Sequence, residues 1–309
     1  MTTLLLSHED CIAHVPPEGH PERPDRLRAI GEALSTDAFA ALQRQPAPLG
    51  DPARAAAVHS REYVEMIRSA APSDDGLARL DPDTYLSSGS WTAALRALGA
   101  AISAVDQVMT GEADNAFCAV RPPGHHAERQ TAMGFCLINN VAAAAHHALD
   151  AHGAERVAVV DFDVHHGNGT QDIFWRDAGL FYGSTHQMPL YPGSGHTSET
   201  GVGNIFNAPL RAGDGSAPFR DAMQTVILPA LRAFRPDLIL ISAGFDAHRD
   251  DPLALLNLED DDYRWATQQL MEVADETCGG RVISLLEGGY DLAALGRSVA
   301  LHVKTLMDG

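Results

Sequence analysis

Four apolar, strand-like runs in this chain each break off into an unusual polar sequence, and that pattern narrows the available folds more than any other feature. NAFCAV runs into RPPGHHAERQTAMGFC, RVAVVDFD into VHHGNG, DLILISAG into FDAHRDDP, and RVISLLE into GGYD. Strand candidates fall at 3–7, 115–120, 156–163, 180–185, 237–243 and 281–287, with helix-like segments at 89–111, 138–151, 216–234, 260–277 and 291–307. Strand and helix in alternation argue for an α/β domain around a mostly parallel sheet. In such sheets ligands bind beyond the carboxyl ends of the strands, which is where the polar sequences fall. No Pro/Gly/Ser-rich linker interrupts the pattern, so residues 1–309 are expected to form a single domain, a common outcome for α/β folds of this length.

The densest of these junctions is VAVVDFDVHHGNGTQDIF, Val157 to Phe174. A strand leaving a core often ends in a polar residue that caps the next helix, which accounts for one aspartate. Side chains at i, i+2 and i+4 of a strand share a face, so Asp161, Asp163 and His165 are expected to converge while Phe162 and Val164 face away. Such a cluster points to a metal. A catalytic zinc takes three protein ligands and keeps one position open. Asp163 and His165 supply two; Asp246 in SAGFDAHRDDP is the best third, with His248, Asp250 and Asp251 as rivals.

His125 and His126 follow their strand in the same way, behind the stiff Pro122-Pro123-Gly124, and suit general acid or base work. One imidazole needs a carboxylate to set its tautomer, and Asp161 lies beside the metal site. In LEGGYD the glycine pair turns the chain and presents Tyr290 either to the cleft, as a donor to an oxyanion, or to the rim as a packing residue.

Composition removes several classes. With 45% hydrophobic and 20% charged residues the chain has no disordered character. The opening MTTLLLSHED has too short an apolar run for a secretory signal, and no window reaches the ~20 apolar residues of a membrane span, so a cytoplasmic location is expected. Four cysteines, Cys11, Cys118, Cys136 and Cys278, form no CxxC pair and read as small core residues. A formal charge of −19 argues against a nucleic-acid groove. It suits a cationic substrate, or simply solubility.

RPPGHHAE, GFCLINNVA, DFDVHHGNGTQDIFW, SAGFDAHRDDPL and LEGGYD, in that order, resemble the zinc-dependent histone deacetylase family. HPERPDRL resembles its first active-site loop. The histidine pair without an intervening tryptophan, together with DVHHGNG, is similar to the class II branch and its bacterial relatives, which include acetylpolyamine amidohydrolases. The resemblance implies the arginase/deacetylase fold, one α/β domain with an eight-stranded mostly parallel sheet flanked by helices. It implies zinc on Asp163, His165 and Asp246, and His126 as base and then acid. It further implies His125 backed by Asp161 as an electrostatic partner, and Tyr290 at the scissile carbonyl. Asn168 stands where class I members carry an aspartate behind the second histidine. Phe135 and Tyr191 match the two aromatic walls of the acyl-lysine channel, although the second is commonly phenylalanine, and Gly134 matches a glycine that contacts the substrate amide. A potassium ion is implied near the zinc, at Asp161 and Ser184 and the carbonyls of Asp163, His165 and Thr185. The implied reaction is metal-activated attack of water on the amide of an acylated lysine in a protein or peptide.

Three rivals remain in view. Arginase-like chemistry with two manganese ions resembles a DxHxD cluster, whereas Gly167 ends the matching stretch here. A binding protein on the same scaffold is expected to lose ligands, histidines or tyrosine, and none is lost. An acetylated small amine is the alternative substrate. Polyamine-specialised vertebrate relatives carry glutamate where this chain has Leu253, and the HPERP loop has no long insertion, so acyl-lysine is favoured.

Overall fold

Runs such as LILISA and VISLL bury every residue, and only a parallel sheet covered on both faces hides so continuous an apolar stretch. The computed structural model describes residues 1–309. Its strands are β1 (Thr3–Ser7), β2 (Gln43–Pro46), β3 (Ala78–Asp81), β4 (Thr84–Leu86), β5 (Asn115–Cys118), β6 (Val157–Asp161), β7 (Leu180–Gln187), β8 (Ile205–Leu210), β9 (Leu238–Ala243) and β10 (Val282–Leu286). All but β3 and β4 form one eight-stranded sheet in the order β2-β1-β5-β10-β9-β6-β7-β8. Every pairing in it is parallel, so the sheet is wholly rather than mostly parallel. β3 and β4 make a separate antiparallel hairpin.

The helices are α1 (Asp25–Ala33), α2 (Pro52–Ala55), α3 (Arg61–Ala70), α4 (Ser90–Thr110), α5 (Asn140–His152), α6 (Asn168–Phe174), α7 (Ser216–Ala222), α8 (Leu228–Phe234), α9 (Asp260–Cys278) and α10 (Leu292–Asp308). Alternate residues of each strand feed opposite cores. Val157 and Val159 join the alanines of α4 and α5 on one face, while Ala158 and Val160 join α9 and α10 on the other. Each fully buried Leu or Ile side chain contributes about 1.5 to 3 kcal/mol by leaving water.

The strands carrying the polar junctions are neighbours: β5, β10, β9 and β6 lie side by side. Parallel pairing puts all their carboxyl ends on one edge, so the four loops meet there. The strand at 156–163 proves shorter than its apolar run, because the chain leaves the ladder at Asp161. Asp161 Oδ1 accepts the Asp163 N–H at 3.1 Å, and Asp163 Oδ1 accepts the His165 N–H at 2.9 Å. Two successive aspartate turns of this kind replace strand alternation, and they bring Asp163 and His165 together by a route the pleat does not supply. The segment at 216–234 is also not one helix. A π-helical turn at Met223–Ile227 separates α7 from α8, just before Pro229, which has no N–H to give to the preceding turn.

Candidate metal centre and catalytic pocket

Asp163, His165 and Asp246 are all buried, and one ligand atom from each lies within 4.8 Å of the others. His165 Nδ1 sits 3.1 Å from Asp163 Oδ1 and 3.1 Å from Asp246 Oδ2. The remaining carboxylate oxygens are held by main-chain donors: Asp163 Oδ2 accepts the Gly288 N–H at 2.8 Å, and Asp246 Oδ1 the Val164 N–H at 2.9 Å. A Cβ on Gly288 would stand 2.1 Å from Asp246 Oδ2, so the first glycine of the pair after Glu287 serves close approach. One neutral imidazole and two carboxylates, oriented by outer hydrogen bonds, suit a divalent zinc with an open position. Burial opposes charge on His165, yet Asp163 and Asp246 raise its pKa to about 10; the trio attracts positive charge strongly. The rival His248 turns away, with Nε2 3.1 Å from Asp260. Asp250 is exposed, and Asp251 has another task.

The histidine pair sits over this centre. His125 Nδ1 lies 3.0 Å from Asp161 Oδ2, which also accepts the Tyr182 hydroxyl at 3.0 Å. Burial works against charge on His125, but Asp161, Asp163 and Glu287 outweigh it and raise its pKa well above the ordinary value. His126 differs. Its Nδ1 faces Asn168 Oδ1 at 2.8 Å, and burial, with His125 and His165 nearby, pushes its pKa well down. One ring is built to be charged and the other neutral. Asp161 lies opposite Ser184 across β6 and β7, and Ser184 and Thr185 are buried beside it.

Beside His126 opens a cavity of about 250 Å³ lined by Asp83, His126, Gly134, Phe135, His165, Leu190, Tyr191, Leu253 and Tyr290. Gly134, Phe135, Tyr191, Leu253 and Tyr290, expected at the channel from the sequence, all line it. The Tyr191 ring meets His126 edge-on at 5.2 Å between centroids, and Phe135 meets Tyr290 at 5.8 Å. Gly134 has φ +55°, and a Cβ there would stand 2.4 Å from the His126 ring. Of the acidic hairpin LDPDTY, Asp83 reaches the lining.

Several residues that hold these groups carried no role in the sequence, or, for Asp251, a different one as a rival metal ligand. Glu287 Oε2 accepts the N–H groups of Gly124 and His125 at 2.7 and 3.1 Å; burial raises its pKa to about 7. Asp251 accepts the Tyr290 N–H at 2.6 Å and the Leu253 N–H at 3.0 Å, so it clasps the tyrosine loop to the cavity rim. Arg26 donates to the Gly289 carbonyl at 2.6 Å and lies 4.9 Å from the Tyr290 ring centroid. Glu287 and Asp251 stood inside the quoted motifs, where a carboxylate directly after a buried strand or among ligand candidates was the available signal. Arg26 lies 263 residues from its acceptor, and no local pattern announces that contact.

Residues 20–306 match the histone deacetylase domain model. The chain is similar to histone deacetylase 10, chloroplastic, of Oryza sativa subsp. japonica, at 42% identity over 92% of this chain and 68% of that protein. It is 42% identical to the histone deacetylase-like amidohydrolase of Pseudomonas aeruginosa, over 89% of this chain and 73% of that one. The crystal structure of the HDA15 HD domain superposes with a TM-score of 0.94 at 38% identity, covering 99% of this chain and 88% of that one. With the family model matching residues 20–306 and the solved domain superposing over 99% of this chain, the chain belongs to the histone deacetylase family.

Proposed function

We propose that the protein is a zinc-dependent deacylase that removes acetyl or other short acyl groups from the side-chain nitrogen of lysine in proteins or peptides. The observation that carries this reading is the buried Asp163, His165 and Asp246 trio with His126 beside it at one cavity. Zinc on those residues would act as a Lewis acid toward the attacking water and the amide carbonyl. His126 takes the proton of the water and returns it to the leaving amine. His125, charged and paired with Asp161, adds positive potential beside the reacting carbon. Tyr290 donates to the carbonyl oxygen as it gains charge. Phe135 and Tyr191 flank the acyl-bearing chain, Gly134 contacts its amide, and Leu253 forms the rim.

The proposal includes a potassium ion at Asp161 and Ser184 with the carbonyls of Asp163, His165 and Thr185, supported by the burial of these residues. A cytoplasmic location is supported by four buried, unpaired cysteines, as expected in a reducing compartment. No helix is long and apolar enough to cross a membrane.

Metal analysis and turnover test the centre together. One zinc per chain is expected, and Asp246→Ala should lose zinc and activity in parallel. Full occupancy and turnover in that variant would remove Asp246 from the ligand set, and two manganese ions per active chain would revive the arginase-like reading. A second substrate class is favoured by Asp83, an acidic side chain at the cavity wall that can pair with the ammonium of an acetylated polyamine. Parallel kcat/KM values for acylated lysine peptides and acetylated polyamines separate the two.

A further inference from the structure

His126 faces an amide where a carboxylate would serve either way round. An amide can present either end, and its two ends demand opposite tautomers of a neutral imidazole. With Asn168 Oδ1 toward Nδ1, the ring carries its proton on Nδ1 and keeps a lone pair on Nε2. With Nδ2 toward Nδ1, the proton sits on Nε2 and no lone pair remains there. The amide alone holds no preference.

Its surroundings do. Asn168 Nδ2 donates to Glu128 Oε1 at 2.7 Å and lies 3.3 Å from Met133 Sδ. A carboxylate oxygen only accepts, and a thioether accepts weakly. Turning the amide would set Oδ1 against Glu128 with no proton between two acceptors. Glu128 is itself fixed through its backbone. Its N–H donates to Thr131 O at 3.0 Å, and its carbonyl accepts from His59 Nδ1 at 2.8 Å. His59 Nε2 in turn accepts the Asn139 N–H at 2.9 Å. Burial lowers the His59 pKa to about 4, so the ring stays neutral and serves both bonds.

We propose that Glu128 is a positioning residue: its carboxylate fixes the Asn168 amide, and the amide fixes His126 as the Nδ1–H tautomer with a lone pair on Nε2. The consequence for rate rests on the reading of His126 as the base; the tautomer rests on the contacts alone.

Nitrogen-15 spectra of histidine-labelled holoenzyme read the tautomer directly, with His126→Ala to assign the ring. Wild type and Glu128→Gln, which retains an acceptor oxygen, should both show protonated Nδ1 and a lone pair on Nε2. Glu128→Lys puts donors where the acceptor stood and should turn the amide, moving the proton toward Nε2. Its kcat should fall about 10²-fold with a much smaller change in KM, while zinc content stays at one per chain. In an Asn168→Asp background both side-chain ends accept, so adding Glu128→Lys should no longer move the proton. A Glu128→Lys enzyme whose His126 keeps the wild-type pattern overturns the proposal, whatever its rate. A proton that moves while kcat holds supports Glu128 as the anchor and overturns His126 as the base.

Discussion

Tyr290 reaches the cavity on a loop held from two directions, by Asp251 at its N–H and by Arg26 at the preceding carbonyl and over its ring. The backbone is therefore placed without help from the hydroxyl. Tyr290→Phe should leave the loop and metal site intact while lowering kcat about 10²- to 10³-fold, the cost of one oxyanion donor, with a smaller effect on substrate binding. Unchanged kcat in steady-state assays would put the phenol outside the reaction. Leu253 sits at the same rim with its N–H on Asp251, so a new side chain there changes the cavity mouth and leaves the clasp in place. Leu253→Glu should raise kcat/KM for acetylated polyamines relative to acetyl-lysine peptides by about 1 to 3 kcal/mol where the new pair is shielded, and less where water reaches it. Salt should shrink the gain, because exposed charges are screened over ~8 to 10 Å. A wild type that already prefers polyamines, with no change on substitution, would move recognition to Asp83.

Between elements, Glu22 joins the loop before α1 to the loop after β5. It is fully buried with Arg121, bonds Arg26 at 3.1 Å, and lies 3.4 Å from His14. Burial alone would raise its pKa, but Arg121 and His14 hold it well below the ordinary carboxylate range. A carboxyl depressed in the folded state contributes stability that is complete above its unfolded pKa and disappears as pH falls through the folded one. Glu22→Gln should destabilise by about 3 to 5 kcal/mol at neutral pH, since it strands buried arginines. In urea titrations the gap to wild type should close as pH drops below the ordinary carboxylate range; a gap constant down to acid would deny the ion pair its role. This network was not legible in the sequence, because Arg121 and Glu22 are 99 residues apart. The central strands β6, β9 and β10 were legible, since VAVV, LILISA and VISLL are continuous, largely apolar buried runs. β2 was not: QRQP at the sheet edge is mostly exposed and carries the polar and proline residues that edges tolerate. The clustering of Asp163, His165 and Asp246 was legible from residue types and strand ends, although the turns that assemble it were not.

At the scale of the molecule, the proposed zinc would link metal to fold: an ion that binds only the folded chain stabilises it by about 2.7 kcal/mol when present at 100 times its Kd. Chelation should therefore lower the thermal midpoint by several degrees, and Asp163→Ala should start low and show no chelator response. An equal response in that variant would put the stabilising ion elsewhere. The sheet order carries one more consequence. β10, residues 282–286, is the last strand in the chain, yet it lies between β5 and β9. During synthesis the nascent chain therefore emerges with every other strand already made and a gap at the middle of the sheet. Until β10 arrives, β5 and β9 expose unpaired edges of the kind that template wrong partners. Glu287 and Gly288, which brace the histidine loop and the metal trio, arrive immediately behind it. Closure of the sheet and completion of the active centre are thus one late event, and a ribosome stalled before Val282 holds a chain that has neither.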